Sequence, residues 1–123
     1  MTREFITLPS FDVKWKDLGL NEDDKRRLEQ ELLNNPKIGP VMKGTGGVRK
    51  MRFAFRDRGK SGSTRIIYVD FEVYEKIFFV DVYQESDKDN LTKAERNAMK
   101  DIVDLIELGL EMEKQRRENH EPV

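Results

Sequence analysis

Apolar and polar residues alternate from Val48 to Arg56, with Met51, Phe53 and Phe55 on one parity and Lys50, Arg52 and Arg56 on the other. That is the period of a strand with one wet face, and it stands Lys50 and Arg52 side by side, roughly 7 Å apart at about 3.4 Å per residue. The run Arg56-Asp57-Arg58-Gly59-Lys60-Ser61-Gly62-Ser63 breaks the alternation. Its glycines and serines favour a turn, which predicts a hairpin with a basic tip. The returning strand covers Thr64 to Phe71 and carries Arg65 near its start. After a turn near Val73 to Glu75, the segment Ile77 to Tyr83 is apolar on both parities, as in a central strand covered on both faces.

Helical periods flank this core. Residues 3–8 predict a short strand stopped by Pro9, and Ser10 is placed to cap a helix in which Phe11, Trp15 and Leu18 share a face before Gly19. Trp15 is therefore expected in the core. Asn21 opens a second helix whose acidic first turn (Glu22, Asp23, Asp24) suits the positive end of the dipole. Its stripe of Leu28, Leu32 and Leu33 faces the sheet, and it closes at Asn34-Asn35-Pro36. The stretch from Pro36 to Gly47 has no period. Gly44, Gly46 and Gly47 do not make a nucleotide-binding loop, because no Lys-Ser/Thr pair follows and the next element is a strand.

Beyond the polar segment Gln84 to Asn90, Thr92 and Glu95 form a capping box for a long helix. Its stripe of Ala98, Met99, Ile102, Val103, Leu105, Ile106 and Gly109 is broad enough to pack on the sheet or on a partner. The order predicts one α+β domain over residues 1–112. A small antiparallel-rich sheet of about four strands carries two N-terminal helices and one long C-terminal helix, with the helices gathered on one side. The charged residues 113–123 are expected to fray as a flexible tail.

Charge changes this picture more than composition does. The 123 residues carry a net charge of −1, yet Lys43 to Val69 holds eight Lys and Arg (Lys43, Arg49, Lys50, Arg52, Arg56, Arg58, Lys60, Arg65) against Asp57 alone. Residues 70–89 reverse the balance, with seven Asp or Glu and two Lys. Sorting of this kind creates a field that attracts a polyanion, of which a phosphate backbone is the commonest. Lys43, Arg49, Arg56, Arg58 and Lys60 are the candidate RNA-binding residues. With no cysteine, one histidine (His120) in the tail and no grouped carboxylates, neither a metal site nor a cofactor is expected. The N-terminal Met-Thr-Arg-Glu lacks the apolar run of a signal peptide, and Ile77 to Val80 is far too short to span a bilayer, so a cytoplasmic protein without a membrane partner is expected.

A basic cluster with a tyrosine at a strand end suits one reaction. Cleavage of RNA by its own 2′-hydroxyl needs a base for that hydroxyl, positive charge on the scissile phosphate and an acid for the leaving oxygen. Arginine clamps but does not act as base. A free lysine is neutral in about one molecule in a few thousand at pH 7, and neighbouring cations raise that fraction. Lys50, between Arg49 and Arg52, is the best placed residue for this task. Nothing in the cluster fixes RNA in line for attack, and positioning is worth about 7–11 kcal/mol, so activity is expected to depend on a partner that holds the RNA. The same basic face also suits a non-catalytic nucleic-acid-binding module or a protein-interaction module. The former would tolerate Lys50→Arg and a lysine base would not.

The ordered set Gly44-Thr-Gly-Gly-Val-Arg-Lys-Met-Arg-Phe53, Arg58-Gly-Lys-Ser-Gly62, Thr64-Arg-Ile-Ile-Tyr68, Val82-Tyr83 and Asp89-Asn-Leu-Thr92 resembles the HigB-like branch of the RelE toxin superfamily, over roughly residues 3–108. The resemblance implies the toxin of a bacterial type II toxin–antitoxin pair: a ribosome-dependent endoribonuclease that cuts mRNA in the A site of the 30S subunit. It implies as partner a helix-turn-helix antitoxin, whose complex with the toxin represses the shared operon, so that operator DNA is met only through the antitoxin. Carried over by position, it assigns the two basic strand residues to Lys50 and Arg52 and the following clamp to Arg65. Tyr83 is assigned as acid or stacking group. The family's basic residue after the fourth strand has no counterpart here, where Gln84 and Glu85 stand, and Lys88 is the substitute the loop offers.

Overall fold

The computed structural model describes residues 2–54, 64–85 and 90–119. Four strands form one sheet in the order β1-β4-β3-β2, from β1 (Glu4–Thr7), β2 (Val48–Phe53), β3 (Thr64–Phe71) and β4 (Lys76–Gln84). Strands β2, β3 and β4 run antiparallel in sequence, and β1 joins the outer edge of β4 in parallel. The three helices are α1 (Pro9–Asp17), α2 (Glu22–Asn34) and α3 (Lys93–Asn119).

Local chemistry explains the ends. Pro9 both stops β1 and begins α1, occupying the first turn where a missing N–H is harmless. Leu8, not Ser10, is the capping residue and makes no side-chain cap bond. In α2 the side chain of Asn21 accepts from the amide of Asp24, whose carboxylate accepts from the amide of Asn21. Thr92 and Glu95 repeat that reciprocal arrangement before α3. Residues 113–119, expected to fray, continue α3, where Arg117 pairs with Glu113 at 2.6 Å and Gln115 bonds Glu111 one turn back.

The helices are not gathered on one side. Phe11 and Trp15 of α1, with Leu28 and Leu32 of α2, pack on Met51, Phe53, Ile66, Tyr68, Ile77, Phe79 and Val82. On the opposite face, Met99, Val103 and Leu110 of α3 join the cluster formed by Val48, Ile67, Val69, Phe71, Phe78, Val80 and Tyr83. The physical reason lies in β4, whose apolar residues on both parities demand cover on both faces. Leu105, predicted in the apolar stripe, is exposed together with Leu108 and Met112 on the outer side of α3.

One irregularity positions the site. Tyr68 pairs with Phe79 and Ile67 pairs with Asp81, so β4 has one residue more than β3 at this point. A bulge of this kind reverses the side-chain phase beyond it. Ile77 and Phe79 face α1 and α2, but Tyr83, of the same parity, faces the α3 side.

Candidate nucleic-acid interface

Arg52 of β2 pairs directly with Arg65 of β3, and Arg65 pairs with Tyr83 of β4. The three residues form a row across the sheet on the face that α3 covers further down, and Lys50 lies two residues before Arg52 on that same face. The bulge in β4 is what brings Tyr83 into this row. Arg52 is largely exposed, whereas Arg65 and Tyr83 are mostly buried.

Two guanidinium groups on directly opposed residues repel one another. A carboxylate answers them: Glu85 Oε1 accepts from Arg65 Nη2 at 2.6 Å and from Arg52 Nη2 at 3.4 Å. Glu85, which entered the sequence reading only as a departure from the family's pattern, is therefore part of the site. Its signal in the sequence is its position, two residues beyond Tyr83 and just past the end of β4.

Lys50 is fixed through its backbone on the outer edge of the sheet. Its amide donates to the carbonyl of Pro40 at 3.2 Å, and Val41 bridges to Arg49, so the loop before β2 covers that edge. The loop itself is tied down by Tyr68, whose hydroxyl donates to Pro36 O at 2.9 Å and accepts from the Gly39 amide at 3.1 Å. Burial pushes the Tyr68 phenol up, which keeps it a donor.

The other predicted basic residues divide. Arg49 does not join the row: its guanidinium donates to Gly39 O at 2.7 Å and Lys37 O at 3.3 Å, holding the edge loop. Lys43 is exposed in the loop before β2, toward the opposite end of that strand from Arg52. Arg56, Arg58, Lys60 and Lys88 lie outside the described residues. Arg27 of α2 lies over the Phe53 ring at 5.4 Å and donates to Ala54 O, anchoring the end of β2. Among the described residues no group of three or more His, Cys, Asp or Glu is placed to hold a metal ion, and no helix is long and apolar enough to cross a membrane.

Residues 41–118 match the model of a family described as the RelE toxin of the RelE/RelB toxin–antitoxin system. The chain belongs to the RelE toxin family. The fold agrees: a solved structure of a mutant of the E. coli toxin RelE in the free state superposes with a TM-score of 0.52 at 16% sequence identity, covering 72% of this chain and 90% of that one. In this RelE-family chain the row Arg52–Arg65–Tyr83 and the adjacent Lys50 lie within the matched residues, as does Glu85.

Proposed function

We propose that this RelE-family toxin, of the HigB-like branch, cleaves mRNA held in the ribosomal A site and so arrests translation. The observation that carries the reading is the row Arg52–Arg65–Tyr83 on one face of the sheet, with Lys50 beside it. Arg65 and Arg52 clamp the scissile phosphate, and their charge stabilises the negative charge that builds on its oxygens. Lys50 takes the proton from the attacking 2′-hydroxyl. Tyr83 stacks on a base or protonates the leaving oxygen, and Lys88 adds charge from the adjoining loop. The row supplies charge, and the ribosome provides the in-line geometry.

A helix-turn-helix antitoxin neutralises the toxin, and the complex represses the operon. The exposed Leu105, Leu108 and Met112 on α3 offer that partner an apolar surface. Induction of the wild-type chain and of Lys50→Ala in a bacterium, with growth followed and mRNA 5′ ends mapped against reading frame, tests the reading. Arrest with frame-locked cuts that the variant loses is expected. Equal growth with no new ends, at equal soluble expression, would replace the nuclease by a binding module.

A further inference from the structure

We propose that Glu85 is a built-in competitor for the phosphate site, and that it makes the toxin act on presented RNA and not on free RNA. The assignment deepens the nuclease reading and rests on it for the identity of the ligand. One oxygen of Glu85 bridges Arg65 and Arg52 at 2.6 and 3.4 Å, the position that a phosphate oxygen clamped by both guanidinium groups would take. The contact is made to be exchanged. The Glu85 side chain is 31% exposed and that of Arg52 is 65% exposed, so solvent and ligand reach the pair.

Tethering decides who wins. A carboxylate fixed one residue past β4 competes at an effective concentration in about the millimolar range. Free RNA at micromolar concentration meets a clamp whose charge is halved by the carboxylate and whose shared donor position is already filled. RNA held against the toxin by the ribosome arrives at comparable effective concentration and displaces Glu85, exposing both arginines to the phosphate. Glu85 thus tightens the dependence on a presenting partner.

The test uses the full chain as wild type, Glu85→Gln and Glu85→Ala, titrated with a labelled single-stranded RNA whose 2′-hydroxyls are methylated so that it cannot be cut. Both variants are expected to bind roughly tenfold more tightly than wild type, the factor that about 1.4 kcal/mol represents. The slope of log K against log salt is expected to steepen by about 1.4, for two further phosphate contacts at about 0.7 each on a single strand. Adding Arg65→Ala to Glu85→Gln should abolish the gain. Unchanged affinity and slope in both variants, or a gain that survives Arg65→Ala, would overturn the assignment. Cleavage of ribosome-bound message by wild type is measured in parallel: its absence defeats the nuclease reading, while the binding ratio still decides what Glu85 does.

Discussion

Gly39 packs directly on the backbone of Lys50: a β-carbon added to Gly39 would stand 2.8 Å from Lys50 O and 2.9 Å from Lys50 C. Both contacts are with backbone, which has no flexible end to swing aside. Gly39→Ala is therefore expected to push the loop off the edge of β2 or to push Lys50 out of register. Overpacking of this kind costs about 1–3 kcal/mol. With Lys50 acting in cleavage as proposed, a displacement of about 1 Å lowers the cleavage rate by on the order of tenfold to a hundredfold. Urea unfolding and single-turnover cleavage of ribosome-bound mRNA check the two effects separately.

Tyr68 holds the other end of the same loop. Its side chain is fully buried, and its hydroxyl serves Pro36 O and the Gly39 amide at once. Tyr68→Phe keeps the ring packing but removes a partner from two backbone groups in a buried setting. A loss of about 1–3 kcal/mol is expected, seen as a lower urea midpoint with an unchanged slope. A variant as stable as wild type would show that the loop finds other partners.

Much of this architecture was legible in the residues, and the failures have identifiable causes. The reading of Ile77 to Tyr83 as a doubly covered strand already conflicts with helices on one side, and the three-layer arrangement resolves that conflict. The alternation that puts Lys50 and Arg52 on one face also puts Arg49 with Met51 on the other, so the place of Arg49 was available from parity alone. The bulge in β4 was not. A run that is apolar at nearly every position carries no phase, and a one-residue insertion in it leaves no mark in the pattern. The face on which Tyr83 lies therefore required the structure. Glu85 was hidden for a different reason: its place just past β4 was legible, but the pairing across three strands that sets its carboxylate between Arg52 and Arg65 was not.

Gly109 lies within α3, and a β-carbon there would meet nothing within 4 Å. Its backbone is not in the left-handed region. The glycine thus carries its entropic cost in the helix without any steric need in the free chain. Gly109→Ala is expected to stabilise the protein by about 0.5–1 kcal/mol, a rise of roughly 2–6 °C in thermal midpoint for a domain of this size. Calorimetry of the free toxin decides it. A lower midpoint would mean that α3 packs more tightly at this position than the free chain shows.

The 3₁₀ turn Glu72–Tyr74 is fastened to α3 by the Tyr74 hydroxyl, which donates to Glu111 Oε2 at 2.5 Å. That bond, then loss of hydration and the negative charges of Glu111 and Glu107, push the Tyr74 phenol up to about 12. The same bond holds the Glu111 carboxyl below its ordinary value of 4.5, assisted by Gln115 and Lys114 and opposed by burial. The signs of the two linkages differ. Folding favours the protonated Tyr74, so its contribution is complete below the ordinary tyrosine value of 10.0 and is lost as pH rises through about 12. Folding favours ionised Glu111, so its contribution is complete above the ordinary glutamate value and is lost as pH falls through the depressed one. Stability from this contact is therefore a plateau across neutral pH with an acid and an alkaline edge. Tyr74→Phe removes both edges together. The difference in urea midpoint between wild type and Tyr74→Phe, followed from pH 3 to pH 12, is expected to be constant in the middle and to shrink at either end. A difference that does not change with pH would assign the fastening to ring packing and not to the hydrogen bond.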